Sequence, residues 1–290
     1  MAGSLTPEQV AAYRRDGFLL PLHALDAAAA SGYRHAIEGM ERDGPTLDLP
    51  RPLERYFRVN GHLVLPFMAQ IARTPAVLDA VESILGPDLL VWSCELFIKE
   101  PGSAGFVSWH QDLTYWGLGE TDEELTAWIA LSPSTREAGC MRFVPGSHLQ
   151  RIQPHRDTFA SDNLLSRGQE IEAEIDEAAT VDVLLAPGQM SLHHGRMFHA
   201  SGPNSSSDRR IGAVVRYVTP AVRQVVGARD YAMPVRGSDA SGNWIHVAPP
   251  TASFAPADMA FYEQVLVDQS VAFAEGATAA VDLYAPAAPR

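Results

Sequence analysis

The chain has 290 residues, of which 46% are hydrophobic and 20% charged, and its net charge at pH 7 is -13. This balance is typical of an ordinary globular protein, and a chain of this length can bury a core without the help of disulfides. The negative charge, together with the lack of any run of Lys or Arg, argues against nucleic acids and anionic membranes as partners.

The compartment is predicted from the cysteines and from the hydropathy of the chain. Cys94 and Cys140 are too few for a disulfide framework, which favours a reducing environment. Residues 1–7 contain no basic region followed by an apolar stretch, so no signal peptide is predicted. No apolar run approaches the roughly 20 residues that span a bilayer. We therefore expect a cytoplasmic protein.

The first third of the chain has the pattern of helices. Thr6, Pro7 and Gln9 predict a helix start, with a threonine cap, proline at the first helical position and glutamine three residues after the cap. Residues 45–66 are rich in proline and charge and are expected to form an irregular covering segment. Further helices are predicted from Asp26 to Arg42, from Thr74-Pro75 to Gly86-Pro87, and from Ala255 to Phe273.

From about residue 89, short apolar runs alternate with turns rich in Gly and Pro, a pattern typical of an all-β sandwich or jelly roll. Residues 148–179 are polar and break the pattern, and we interpret them as a lid or an insertion over one mouth of the barrel. Strands are predicted at 89–99, 126–132, 141–144, 181–186, 190–194 and 210–219. We expect one domain over residues 1–290, with a helical part (about 1–88), a jelly-roll core (about 89–220) and a C-terminal extension with a helix (about 221–290).

The clearest local signal of chemistry is the run Trp109-His110-Gln111-Asp112. On a strand, residues two apart point to the same side, so His110 and Asp112 can reach one metal ion while Gln111 points elsewhere. Such a pair alone is weak evidence for a metal site, because a His-x-Asp tripeptide often arises by chance. Two histidines and one carboxylate form the ligand set of non-haem Fe(II) oxygenases, so a second histidine is required. The candidates are His193, His194 and His199.

The surroundings of His199 carry a family resemblance. His199 is followed by Ala-Ser-Gly-Pro-Asn and, eleven residues on, by Arg210 at the start of a predicted strand. This order, after His-Gln-Asp, resembles the phytanoyl-CoA dioxygenase family of Fe(II)- and 2-oxoglutarate-dependent oxygenases. Residues 16–18, 127–131 and 139–148 resemble other parts of the family, so the likeness covers most of the chain. It implies a mainly β protein with flanking helices around a double-stranded β-helix, which is a cupin-like jelly roll.

The resemblance also implies the roles of single residues. His110, Asp112 and His199 match the metal ligands of the family and are its catalytic residues. Arg210 matches the basic residue that holds the distal carboxylate of 2-oxoglutarate, and a guanidinium fork suits a carboxylate well. Other positions that match the lining of the co-substrate site are Ser201, Trp128 and Gln111.

Several neighbouring residues compete for these roles. Arg209 lies beside Arg210 but on the opposite face of the strand, and the spacing from His199 favours Arg210. Arg216 shares the face of Arg210, but at roughly 3.3 Å per residue it lies some 20 Å away, so an exposed or rim salt bridge is expected. His193 and His194 are expected to form hydrogen bonds in the core. Aromatic residues near the His-Gln-Asp run form a substrate wall or pack in the core: Phe106, Tyr115 and Trp116.

The resemblance implies a dioxygenase that uses Fe(II), 2-oxoglutarate and O2. It would hydroxylate an unactivated C–H bond of a small metabolite or natural-product intermediate and release succinate and CO2. Asp112 stands where related halogenases have a small residue, which favours hydroxylation over halogenation. The alternatives are the same iron chemistry with desaturation, epoxidation or cyclisation as the outcome, or a cupin-type isomerase. A small-molecule substrate is expected, and a homodimer stays an open alternative.

Overall fold

The structure is a computed structural model that describes residues 4–284. Residues 1–3, on which the signal-peptide prediction partly rests, and residues 285–290 of the expected C-terminal extension lie outside it. The helices are α1 (Pro7–Asp16), α2 (Ala27–Asp43), α3 (Leu53–Arg58), α4 (Pro66–Ala72), α5 (Pro75–Leu85) and α6 (Pro256–Ala274). None of the described helices combines the length and apolar character that a membrane crossing requires.

The strands are short except for two that run through the middle of the fold. They are β1 (Phe18–His23), β2 (Leu89–Lys99), β3 (Val107–His110), β4 (Glu124–Ala130), β5 (Met141–Phe143), β6 (His155–Asp157), β7 (Gln169–Ile171), β8 (Val181–Asp182), β9 (Gln189–His194), β10 (His199–Ser201), β11 (Arg210–Val218), β12 (Tyr231–Arg236) and β13 (Ile245–His246).

The first helix forms as its sequence predicts. The Thr6 hydroxyl accepts a hydrogen bond from the backbone N–H of Gln9, and the Gln9 side chain accepts one from the backbone N–H of Thr6. This reciprocal pair satisfies two N–H groups that a helix start leaves without partners. Gly17, with φ of 84°, ends the helix in the left-handed conformation. The chain then passes directly into β1.

Two sheets face each other and form the β core. The larger has the order β1-β9-β4-β11-β2-β12-β13, and the smaller has the order β3-β10-β5-β8. β11 lies in the middle of the larger sheet, between β2 and β4, with Val214 opposite both Glu95 and Trp128. Helices pack against the outer face of this sheet. The expected jelly roll with flanking helices is confirmed.

The two faces of the larger sheet have different surroundings. Outward side chains of β11 join the helices in the main apolar core; these are Ile211, Ala213, Val215 and Tyr217. Inward side chains point into the space between the sheets, where a small apolar cluster adjoins a cavity. Every residue of β11 is buried. A polar group on its inward face therefore needs a partner inside the fold, since it is cut off from bulk water.

The main helices and long strands agree with the sequence predictions. β2 has the predicted bounds, and α1, α2, α5 and α6 form at the expected places. The prediction that residues 45–66 form an irregular segment is wrong, because α3 lies within them and buries Leu53, Tyr56 and Phe57. The predicted strand 181–186 is cut short after Asp182. No pattern in the sequence predicts β1, β3 or β10.

A buried histidine that does not line the cavity is expected to make stability depend on pH. His62 is 2% exposed, its Nδ1 has no hydrogen-bond partner among the described residues, and burial lowers its pKa to about 3. An unfolded histidine titrates near 6.5, so between these values the unfolded state binds the proton and the folded state does not. The contribution of the neutral His62 to the free energy of unfolding is therefore fully present above about pH 6.5 and is lost as the pH falls toward 3. The loss attributable to His62 between pH 7 and 5 is about 2 kcal/mol.

Denaturant unfolding of the protein and of His62→Leu at pH 7 and pH 5 measures this contribution. The substitution removes the titrating group, so the variant is expected to lose about 2 kcal/mol less on acidification. An equal loss in both proteins would show that His62 does not contribute.

Candidate metal centre and its cavity

His110 and His199 face each other on neighbouring strands of the smaller sheet. β3 ends at His110, β10 begins at His199, and the two residues are direct partners in the antiparallel ladder. Their ring centroids lie 4.1 Å apart. Asp112 belongs to the 3₁₀ turn Asp112–Thr114 that follows β3, so the turn and not strand alternation positions its carboxylate. The fold thus brings the predicted pair and the distant histidine together.

These three side chains can present ligand atoms to a single ion. The Nε2 atoms of His110 and His199 lie 3.3 Å and 4.0 Å from Oδ1 of Asp112. One atom from each residue can be chosen so that all three lie within 4.8 Å of one another. The Nδ1 atoms of the two histidines donate to the carbonyls of Ser108 at 2.9 Å and Met197 at 3.0 Å. This arrangement leaves the Nε2 lone pairs free for a metal.

The surroundings favour the protonation states that metal binding requires. Burial, reinforced by the charge of His110, lowers the pKa of His199 to about 4, so its imidazole is neutral near pH 7. Burial acts to raise the pKa of Asp112, but the hydrogen bond with His110 and the charge of His199 outweigh it and hold that pKa below its ordinary value. Two imidazole nitrogens and one carboxylate suit Fe(II).

The competing histidines lie outside this group. His193 is buried with its ring centroid 5.1 Å from that of His199, and it lines the same cavity. His194 pairs with Asp122 at 3.1 Å and accepts a hydrogen bond from the backbone N–H of Arg196. His194 is thus held by hydrogen bonds in the way the sequence predicts.

The three residues lie in the wall of a cavity between the two sheets. Its empty space, including the mouth, is about 830 Å³. Tyr115 and Trp116 line it, together with Leu165, Ser166 and Gln169 of the segment 148–179 and with Phe273, Leu283 and Tyr284 near the C-terminus. The polar segment is thus placed against the cavity.

One end of the cavity carries a buried guanidinium. Arg210 is 1% exposed and lines the cavity, with its guanidinium carbon 5.3 Å from the centroid of the Trp128 ring. It donates to the carbonyl of Gly139. Burial lowers its pKa to about 10, so it stays protonated near neutral pH. Among the described residues, no carboxylate forms a salt bridge with it.

A buried lysine lies beside Arg210. Lys99 is the cross-strand partner of Arg210 and is 1% exposed. Its amino group donates to the Ser201 hydroxyl at 2.8 Å and to the carbonyl of Gly202. Burial and the neighbouring charge of Arg210 lower its pKa to about 6, so the amine is mostly neutral near pH 7. The positive charge at this end of the cavity is therefore that of Arg210, which has no carboxylate partner in the described part of the chain.

The remaining predicted residues fall into two groups. Ser201 and Trp128 line the cavity near Arg210. Gln111 is fully buried but does not line the cavity, because its amide donates to the carbonyl of Arg196 and accepts from the N–H of Gln153. Phe106 is also absent from the lining, and its backbone pairs with the segment 148–179.

The two competing arginines are placed very differently. Arg209 points outward and pairs with Glu41 and Glu100, each at 2.7 Å. The expectation that Arg216 forms an exposed or rim salt bridge is wrong. Arg216 is 6% exposed, lines the same cavity and pairs with Glu95 at 2.7 Å. The reason is that both faces of β11 are covered, so an inward residue faces the cavity along the whole strand.

Lys99, Glu95 and Arg58 line or adjoin the cavity without having been predicted from the sequence. A signal exists for the first two, because three of the four alternate positions from 93 to 99 of β2 are polar, with Phe97 as the fourth: Ser93, Glu95 and Lys99. Strand alternation places these on the inner face. Arg58 carries no such signal, since it ends α3 within the segment expected to be irregular.

A glycine leaves room for the aromatic wall at this end of the cavity. A Cβ built on Gly212 would overlap the Trp128 indole. The substitution Gly212→Ala is therefore expected to displace Trp128, to lower the stability by about 1–3 kcal/mol and to raise the KM for 2-oxoglutarate. Gly32→Ala in α2 is the control, since a Cβ there meets nothing within 4 Å. Thermal unfolding and steady-state kinetics test both variants, and an unchanged Tm for Gly212→Ala would contradict the expectation.

The comparisons with known proteins agree with this geometry. The family model of phytanoyl-CoA dioxygenase matches residues 13–212. The solved structure of the non-heme monooxygenase ThoJ, in its apo form, is 37% identical, covers 92% of this chain and 98% of its own, and superposes with a TM-score of 0.82.

Two curated relatives have small substrates in their names. The "Probable alpha-ketoglutarate-dependent hypophosphite dioxygenase" of Stutzerimonas stutzeri is 27% identical over 77% of this chain and 75% of its own length. The L-proline trans-4-hydroxylase of Streptomyces griseoviridis is 26% identical over 71% and 83%. Matches to curated animal relatives named for phytanoyl-CoA dioxygenase span 41–60% of those proteins.

Proposed function

This chain belongs to the phytanoyl-CoA dioxygenase family of 2-oxoglutarate-dependent non-haem iron dioxygenases, and we propose that it hydroxylates an unactivated C–H bond of a small metabolite or natural-product intermediate. The observation that carries the proposal is the pairing of two features in one cavity. A His-Asp-His group lies in its wall, and the buried guanidinium of Arg210, which has no carboxylate partner among the described residues, lies at one end.

The iron would be held by His110, Asp112 and His199. The two imidazoles offer their Nε2 atoms, and the buried carboxylate supplies one negative charge, so the donor set fits Fe(II) and leaves coordination positions open. Bound iron would supply O2 activation coupled to oxidative decarboxylation of 2-oxoglutarate, with oxidation of the substrate. The carbonyls of Ser108 and Met197 hold both rings in the orientation that ligation needs.

The co-substrate would be held at the Arg210 end. The Arg210 guanidinium offers two parallel N–H groups to the distal carboxylate of 2-oxoglutarate, and Ser201 offers its hydroxyl. Trp128 flanks the guanidinium and limits where the carboxylate can lie. Lys99 orients Ser201. A carboxylate in this place would compensate the charge of Arg210, which has no carboxylate partner among the described residues.

The remaining space is suited to a small substrate. Tyr115 and Trp116 form an aromatic wall close to the triad, and Leu165 of the segment 148–179 lies across from it. Such a wall excludes water from the reacting atoms and fixes the substrate beside the metal. The printed names of the two curated relatives, which act on hypophosphite and L-proline, support a small substrate.

Anaerobic titration of the metal-free protein with Fe(II) and then with 2-oxoglutarate tests this proposal. A weak visible charge-transfer band is expected only when both are present, because it requires chelation of the co-substrate to the iron. Bound iron without a band would overturn the role of Arg210 and favour the isomerase. Once a substrate is found, a product heavier by one oxygen atom supports hydroxylation, and a product that has only lost hydrogen supports desaturation.

A further inference from the structure

The end of the cavity away from Arg210 contains a second arginine that no 2-oxoglutarate site requires. Arg216 lies six residues further along β11, roughly 20 Å away by strand geometry. Its side chain is 7% exposed and its guanidinium carbon lies 4.6 Å from the centroid of the Trp116 ring. Its charge acts on Asp112 and His199, so it lies within electrostatic range of the triad.

The donors of Arg216 are only partly used. Nη1 pairs with Glu95 at 2.7 Å and donates to the Ser93 hydroxyl at 2.9 Å. Nε is buried and has no hydrogen-bond partner in the described part of the chain. Buried guanidinium N–H groups are seldom left without acceptors, because each carries a desolvation cost. Because Arg216 also lines the cavity, its guanidinium lies within reach of a ligand there.

A further guanidinium, that of Arg58, lines the same cavity. It lies 3.8 Å from the centroid of the Phe97 ring, and its Nη2 donates to the carbonyl of Leu164 at 2.8 Å. Among the described residues it forms no salt bridge. Burial lowers its pKa, although the charge of Glu95 opposes this, and an arginine remains protonated near neutral pH. Arg58 thus joins the body of the protein to the segment 148–179.

The charges at this end do not balance. Two guanidiniums, Arg58 and Arg216, face one carboxylate, Glu95. Asp112 belongs to the metal site. Glu124 is fully buried but does not line the cavity, and burial, followed by the charge of Asp112, raises its pKa well above the ordinary value. Among the described residues that line this end of the cavity, one positive charge is therefore left over.

We propose that the substrate carries a carboxylate, which Arg58 and Arg216 bind at the end of the cavity opposite to Arg210. The proposal rests on the function proposed above and names the chemical class of its substrate. The carboxylate would take the free donors of both guanidiniums and balance the remaining charge, while the carbon skeleton lies along Tyr115 and Trp116 toward the triad. A purely structural Arg216–Glu95 pair explains Nη1 of Arg216 but neither its unpartnered Nε nor the presence of Arg58.

The experiment uses the protein loaded anaerobically with Fe(II) and saturating 2-oxoglutarate. Matched pairs of a carboxylate and its primary amide serve as probes: hexanoate and hexanamide, phenylacetate and phenylacetamide, and N-acetylproline and its amide. The perturbation of the charge-transfer band gives an apparent Kd for each probe, and thermal stabilisation of the loaded protein gives a second one. At least one acid is expected to bind about tenfold or more tightly than its amide, as a charge-assisted hydrogen bond in a buried site implies.

Variants assign the preference to the two arginines. Arg58→Gln is expected to remove it, whereas Arg55→Gln, one turn earlier on α3 and outside the cavity lining, keeps it. Arg216→Gln alone leaves Glu95 buried without its partner and is expected to fold poorly. The double variant Glu95→Gln with Arg216→Gln removes both charges and is expected to lose the preference while retaining the band.

Two outcomes overturn the inference without touching the proposed function: acids and amides bind equally, or no acid in the panel binds, while the band itself is normal. Retention of the acid preference in both Arg58→Gln and the double variant would also overturn it. Absence of the band with Fe(II) and 2-oxoglutarate would instead reject the proposed function.

Discussion

Replacing any one of His110, Asp112 and His199 with alanine is expected to weaken Fe(II) binding by at least about 100-fold and to abolish turnover. Changes in the residues that merely orient metal ligands cost about 10–100-fold in affinity, so loss of a ligand itself reaches at least the upper end of that range. The loss of Asp112 has a second effect, because it removes the only ionised carboxylate of the group and leaves the ion's charge without compensation.

The measurement is anaerobic calorimetric titration of each variant with Fe(II), with circular dichroism and thermal unfolding to establish that the fold persists. His246→Ala is a matched control, because His246 pairs with Asp239 at 2.7 Å and is well exposed outside the cavity. Like the metal site, this pair consists of a histidine and an aspartate, but it lies outside the cavity. Normal iron binding in any of the three cavity variants would remove that residue from the ligand set, and weakened binding in the control would show that iron binds elsewhere.

A helix or strand of this fold can be predicted from the sequence only where local signals determine it. The capping box at Thr6 fixes α1, and a largely apolar run bounded by the turns at Gly86-Pro87 and Pro101-Gly102 gives β2 its bounds. β3 and β10 are only four and three residues long, and they exist because each pairs with a strand distant in the chain. Pairing of this kind leaves no periodic trace in such short segments. The two strands that carry the histidines were therefore beyond reach of pattern alone.

The site was predictable where a family pattern or strand alternation applied, and not elsewhere. His110 and His199 lie where the motifs place them, and alternation separates Arg210 from Arg209 correctly. For Asp112 the grouping holds but the reason differs, since a turn positions it. The error on Arg216 arose because distance along a strand does not decide whether a residue is covered. That depends on what lies across the barrel, which only the assembled sheets reveal.

The position of Arg58 in the cavity lining could not be predicted from the sequence for a different reason. Its role in the cavity depends on α3 packing against the open end of the β core, with Arg58 over Phe97. A composition rich in proline and charge resembles a loop as much as a short helix. The helix gains its stability from tertiary contacts of Tyr56 and Phe57 and not from its own six residues. Sequence reasoning has no means of seeing such contacts in advance.

Replacement of Arg210 by alanine is expected to raise the KM for 2-oxoglutarate by about 100-fold or more, with little change in Fe(II) affinity. Truncation of one partner in a buried charged pair costs about 2–5 kcal/mol, which corresponds to roughly 30-fold to several thousand-fold in binding. The cost falls on the co-substrate because Arg210 has no carboxylate partner within the described residues. Steady-state kinetics and the charge-transfer titration report the effect independently.

The neighbouring arginine supplies the matched control. Arg209→Ala removes the same side chain one position away, where it pairs with Glu41 and Glu100 near the surface. It is expected to leave the KM for 2-oxoglutarate within about twofold, since such exposed pairs contribute little and do not face the cavity. The KM of Arg210→Lys for 2-oxoglutarate is expected to lie between those of Arg209→Ala and Arg210→Ala, because lysine restores the charge but not the planar pair of donors. A rise in KM for Arg209→Ala and not for Arg210→Ala would reverse the assignment of faces on β11 and transfer the co-substrate to the other side of the sheet.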